Sequence, residues 1–371
     1  VKKRINAIIT ILAFIFLGLY VSKWSIINEI KLFLYILVSF VVCIILQEIS
    51  FILIGQIYGI VSHVICIGPF AIFKRNGKLK VKFKMRAYSG FLGNIQGVHI
   101  PDIKSKEEFE RVKKNLKIVL CAGFFADIII VIVALILIFT AAFKNHDFKM
   151  FLIISIIMAE LLGFISVFGG SVKSALNMKK SSEEEVLQDL LLLGIFYEGT
   201  KEAHRFSYLI ERYLVLGENI KVRNYSDDEM LKNISYVSEL IYMRLGGIVN
   251  KVPSNIMKFI QNIIKKKEQF VGKPRFSRRV LNLVYRYILY LAVVDNNNKD
   301  ALELYNYFAK FLYYNDKRKN YTKVFIEHIL GIEDNYEYLM DANNLIKSKG
   351  GMWFGYGIHE VDVHMINLKN S

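Results

Sequence analysis

The chain has 371 residues, 54% of them hydrophobic, and a formal net charge of +16. A mean hydropathy of +0.34 is too high for an ordinary soluble protein of this length. The charge is uneven: residues 1–180 hold 23 Lys/Arg against 9 Asp/Glu, whereas residues 181–371 hold 26 against 24. The basic surplus sits among apolar runs, so it reads as loops facing an anionic lipid leaflet and not as a nucleic-acid surface. Cys43, Cys66 and Cys121 lie in or beside apolar segments without C-x-x-C spacing, which excludes a zinc knuckle or a disulfide framework.

Lys2-Lys3-Arg4 precede an apolar run, 5–21, with Tyr20 and Trp24 at its far end. No small-residue cleavage site follows, so the run is read as an uncleaved anchor. Further apolar runs at 32–57, 116–139 and 151–168 predict three more transmembrane helices, four in all. The two loops placed outside carry two basic residues each, Lys23 and Lys31, then Lys144 and Lys149. The loop 58–115 carries twelve, which puts that loop and both termini in the cytoplasm.

Within that loop a β-hairpin is expected over 67–85. Asn76-Gly77 is its turn, and Leu79-Lys80-Val81-Lys82-Phe83-Lys84-Met85 alternates apolar with basic residues. A strand of that pattern can rest one face on protein or lipid and turn its lysines toward lipid phosphates. Ser89 to Asn94 is a glycine-rich connection, and 104–117 reads as an amphipathic helix entering the third span.

After Gly169-Gly170, Ser181-Ser182-Glu183-Glu184-Glu185 is an N-capping pattern that opens a second, helical domain, 181–371. Helices are expected over about 183–197, 200–217, 227–245, 253–268, 275–294, 298–313, 316–330 and 333–347, with Pro253 and Pro274 at starts and Gly246-Gly247 as a stop. The pattern fits a bundle or a solenoid-like stack, although no fixed repeat period is present. Lys265-Lys266-Lys267 and Arg275, Arg278 and Arg279 read as solvated helix faces. His359 and His364 stand five residues apart, a spacing that does not align them on one helix face. They are read as unstructured surface and not as a metal clip.

The stretch around which the first domain is organised is the apolar run carrying Gln47-Glu48-Ile49-Ser50-Phe51. Together with Ile67-Gly68-Pro69-Phe70, the Asn76-Gly77 hairpin, the glycine-rich turn at Gly90–Gly93 and a last span ending in Phe168-Gly169-Gly170, it resembles the site-2 protease family of intramembrane zinc metalloproteases, in its Gram-positive bacterial form. The resemblance covers about residues 30–180. It implies a zinc site in which an H-E-x-x-H pair and a distant aspartate hold the metal while the glutamate activates water. Here the two histidine positions read Gln47 and Phe51, only Glu48 remains, and glycine stands where the aspartate is expected. The zinc chemistry of the family is therefore not expected to operate, and no cofactor is expected.

Other carboxylates offer a weaker metal set: Glu48, Asp127 in the third span and Glu160 in the fourth. Such a cluster would hold a cation or share protons. Alternatively, each is protonated or bonded to backbone, Ser or Gln side chains between helices. The expected protein is thus mainly α-helical, a site-2-protease-like multi-pass domain (1–180) of a bacterial membrane followed by a cytoplasmic helical domain. Its expected role is to bind or gate a transmembrane peptide or protein without cutting it. Gln47, Glu48, Phe51, Gly68, Pro69, Asn76 and Gly77 would line that site. An active protease with a non-standard metal site is one alternative. The other is a scaffold tied to peptide export or immunity through its helical tail.

Overall fold

The structure, a computed structural model, describes residues 26–67, 70–75, 78–83, 94–140, 145–180, 185–187, 190–191, 200–220, 226–266, 268–269, 274–312, 321–348 and 355–370. The expected first span (5–21) lies outside the described residues. So do Gly68, Pro69, Asn76, Gly77, the connection around Gly90–Gly93, the capping residues 181–184 and most of the expected helix 183–197. The chain is mainly helical. It divides into two compact units, 1–95 with 114–180, and 96–113 with 181–371. The segment 96–113, which the sequence reading placed in the membrane domain, groups with the second unit.

Among the described residues, three helices are long and apolar enough to cross a membrane. The first, α1 (Ile26–Ile57), is a 32-residue run of Ile, Leu, Val and Phe with no proline to interrupt it. The second, α2 (Lys106–Phe139), joins the expected amphipathic entry and the apolar run into one uninterrupted helix. The third, α3 (His146–Gly169), starts at Asn145, whose side chain accepts from the backbone N–H of Asp147 and Phe148. It is followed after Gly170 by α4 (Ser171–Lys180).

A short sheet follows α1. The chain turns at Tyr58-Gly59, where Gly59 takes a positive φ of 72°, and Ile60 N–H donates to Gly55 O at 2.7 Å. A Cβ on Gly55 would collide with the Ile60 carbonyl, so glycine is required there. Strands β1 (Val61–Ile67), β2 (Phe70–Arg75) and β3 (Lys78–Phe83) form an antiparallel meander. Its register pairs Ile65 with Ile72 and Ile72 with Val81. The chain then leaves this unit through β4 (Asn94–His99).

The second unit holds helices of 5 to 20 residues. A 3-10 turn, Thr200–Phe206, leads into α5 (Ser207–Glu218), and α6 (Asp227–Leu245) starts on a Ser226 cap. Then come α7 (Ser254–Lys265), α8 (Pro274–Val293), α9 (Asn298–Leu312) and α10 (Tyr321–Ile329). The single helix expected at 333–347 is two, α11 (Tyr336–Met340) and α12 (Ala342–Ser348), divided at Asp341, which has an extended backbone. Phe206, Phe259, Phe308 and Phe325 are fully buried and form much of the core. On the seam of α6 with α8, Arg286 donates to Ser238 Oγ at 3.2 Å and stands over the Tyr242 ring.

The expectation of unstructured surface around His359 and His364 is corrected. Residues Gly355–Asn370 form a helix, α13. Its Val361, Met365 and Ile366 are buried. His359 meets Leu339 O at 2.8 Å, and the His364 ring lies against Gly247, which has a positive φ of 71°. Both histidines serve packing within the unit.

Candidate functional site

Gln47 and Phe51 stand one helical turn apart on α1, so they share a face, while Glu48 points about a quarter-turn away. The Gln47 amide turns toward α2. Its Nε2 donates to both oxygens of Asp127, at 2.8 Å to Oδ1 and 2.6 Å to Oδ2. Asp127 is buried, with 3% of its surface exposed. An unpaired carboxylate at that depth would cost several kcal/mol, by the general penalty for isolated polar groups in hydrocarbon. The Gln47 amide offsets part of that cost.

Two glycines stand beside this pair. A Cβ on Gly123 of α2 would lie 3.6 Å from Gln47 Cβ, and one on Gly163 of α3 would lie 3.6 Å from Asp127 Oδ2. Three membrane-length helices therefore meet around one polar contact, to which α1 brings the donor Gln47, α2 the acceptor Asp127, and α3 a bare backbone. One helical turn toward the other end of α1, Cys43 Sγ lies 3.8 Å from Ser155 O. One turn further, Ser39 and Ser155 share a hydroxyl hydrogen bond at 2.9 Å, and Ser155 also meets Phe151 O. Leu32, Cys43, Ile44, Ile154, Met158, Ala159 and Leu162 pack along the same α1–α3 seam.

The donor set does not suit zinc. The first histidine position is an amide whose N–H groups face the Asp127 carboxylate, and a cation there would meet donors. The second, Phe51, has no donor atom. At Gly170, a Cβ would lie 2.8 Å from Ser166 Cα, so the backbone leaves no space for the aspartate that the resembling family carries in this region. Glu48 is half-buried, and its Oε2 has no hydrogen-bond partner among the described residues. Glu160 is exposed on α3 and does not join Glu48 and Asp127. Among the described residues, no group of three or more His, Cys, Asp or Glu side chains gathers to hold a metal.

A second polar centre, which sequence reasoning missed, lies within the helical unit. Arg205 Nε donates to Asp102 Oδ1 at 2.7 Å and its Nη2 to Ile100 O at 2.9 Å, with the His99 ring beside it at 3.1 Å. Lys104 approaches the other Asp102 oxygen at 2.8 Å. Hydrogen bonds from Lys104 and then Arg205 hold the Asp102 carboxyl down at about 2. Ile103 N–H donates to Arg205 O, and Tyr208 N–H donates to Ile103 O. Ile100, Ile103, Phe109 and Val112 are fully buried. Together these contacts explain why 96–113 belongs to this unit.

No family model, curated protein or solved structure matches the chain.

Proposed function

We propose that the protein is a bacterial membrane protein of site-2-protease-like design that binds or gates a transmembrane peptide or protein without hydrolysing it. The observation that carries this reading is the Gln47–Asp127 contact. It commits the position of a zinc-binding histidine to a hydrogen bond between helices. In this reading four spans place both termini in the cytoplasm, and the partner lies along the α1 face bearing Gln47, Glu48 and Phe51. An extended segment of the partner adds to the β3 edge, which pairs only with β2 among the described residues. The same reading assigns Gly68, Pro69, Asn76 and Gly77 to the partner's site on sequence grounds.

The test is site-specific photo-crosslinking in cells, with a photoreactive residue placed at Phe51 or at Val81 of the full chain. One membrane protein captured at both positions and recovered at full length supports the reading. Recovery of a partner cut within its membrane span would replace it with hydrolysis at a non-standard site. Capture that survives at neither position, while a probe in the helical domain still captures, would replace it with the scaffold.

A further inference from the structure

The sheet of the first unit has two unlike faces. Its register places the rows Ile65–Ile72–Val81 and Ile67–Phe70–Phe83 on one face, apolar but for Lys74, which pairs with Leu79 at the far end of that face. The opposite face carries Lys78, Lys80 and Lys82 on β3, paired with Arg75, Phe73 and Ala71. The charge is thus concentrated on an edge strand. Val81 on the apolar face is 60% exposed, although burying it would be favourable.

The surrounding sequence has the same bias. Residues 58–101 contain seven basic residues and no Asp or Glu, whereas an ordinary solvated surface mixes the two signs. The sheet is also fixed in place. It begins three residues after α1 ends, through the turn closed by Ile60 and Gly55. A surface with one largely apolar face and a row of lysines, tied to the end of a membrane-length helix, has anionic headgroups as its nearest complementary partner.

We propose that this sheet is a binding surface for the anionic phospholipids of the membrane that the chain's own helices cross. The apolar face beds at the headgroup boundary. The lysines of the edge strand supply the positive charge that draws anionic headgroups to the sheet. This proposal concerns the faces of the sheet and does not rest on the peptide site around Gln47; the open edge of β3 is common to both.

The full chain, purified in detergent, is given equal amounts of phosphatidylglycerol and phosphatidylcholine, and the lipids retained are counted by native mass spectrometry. The wild type is expected to prefer phosphatidylglycerol. The variant Lys78→Gln/Lys80→Gln/Lys82→Gln should lose that preference, by roughly fivefold per lysine at low salt. The variant Lys258→Gln/Lys265→Gln/Lys266→Gln, which removes as much charge from exposed positions of the helical unit, should keep it. Lys80→Gln alone gives an intermediate loss and covers the case in which the triple variant fails to fold. Excess inorganic phosphate should leave the lipids bound. The proposal is overturned if the wild type shows no preference, or if both triple variants lose it equally. It is also overturned if an acidic peptide binds the lysine row with no lipid preference present.

Discussion

The two units are held together by different means. In the first, polar and small contacts punctuate an apolar seam between helices: Gln47 meets Asp127, Ser39 meets Ser155, and Gly123 and Gly163 offer bare backbone, beside Ile44, Met158 and Leu162. Its large apolar side chains, such as Leu53, Ile129 and Phe164, are more than half exposed. In the second, Phe206, Phe259, Phe308 and Phe325 are fully buried. The contrast follows from the solvent. Lipid tails are as apolar as leucine, so helices in a bilayer gain little by hiding leucine and gain specificity from close approach and hydrogen bonds. In water, burying the apolar surface is itself the driving force.

The comparison is sharpened by substitutions of graded size. Phe259→Ala should be the most damaging, costing about 3–5 kcal/mol in the helical unit. Hydrogen exchange of the full chain should show faster opening of residues 254–293 with the membrane helices unchanged. Gln47→Leu should cost less, about 1–3 kcal/mol, because Asp127 is left buried without its donor. A double-mutant cycle with Asp127→Leu should return a coupling of about 0.6–1.7 kcal/mol, as for other hydrogen bonds between membrane helices. Ser39→Ala should be milder still, about half a kcal/mol, read as a small shift in unfolding midpoint in mixed micelles.

The smallest effect is expected to depend on pH. Asp102 is depressed in the folded chain to about 2, first by Lys104 and then by Arg205. A depressed carboxyl adds stability that is present above its unfolded value, near 4, and disappears as pH falls through about 2. Asp102→Asn should flatten the acid limb of unfolding between those values, followed by circular dichroism. A wild-type limb identical to that of the variant would remove Asp102 from the account of how 96–113 is held.

Some of this organisation was legible in the sequence, and the reasons differ by element. The membrane-length helices were visible because their apolar runs exceed what a soluble helix needs. Helix starts at Pro253 and Pro274 and the stop at Gly246-Gly247 are local chemistry, and local chemistry survives folding. The final helix was missed because Glu360, Asp362 and His364 interrupt it. The spacing of Ile358, Val361 and Met365, three and four residues apart, was the signal that would have found it. Gln47 and Asp127 were each singled out, yet their contact spans eighty residues and depends on how two spans register, which no local pattern encodes. The Arg205–Asp102 pair is hidden for the same reason.

The central claim is that Gln47 and Asp127 close a helix contact where the proposed site-2-protease-like design would place a zinc-binding histidine. Elemental analysis of the full chain purified in detergent, beside Glu48→Gln, tests it most directly. The account predicts substoichiometric zinc that is the same in both proteins. Near-stoichiometric zinc in the wild type that is lost in Glu48→Gln would contradict it.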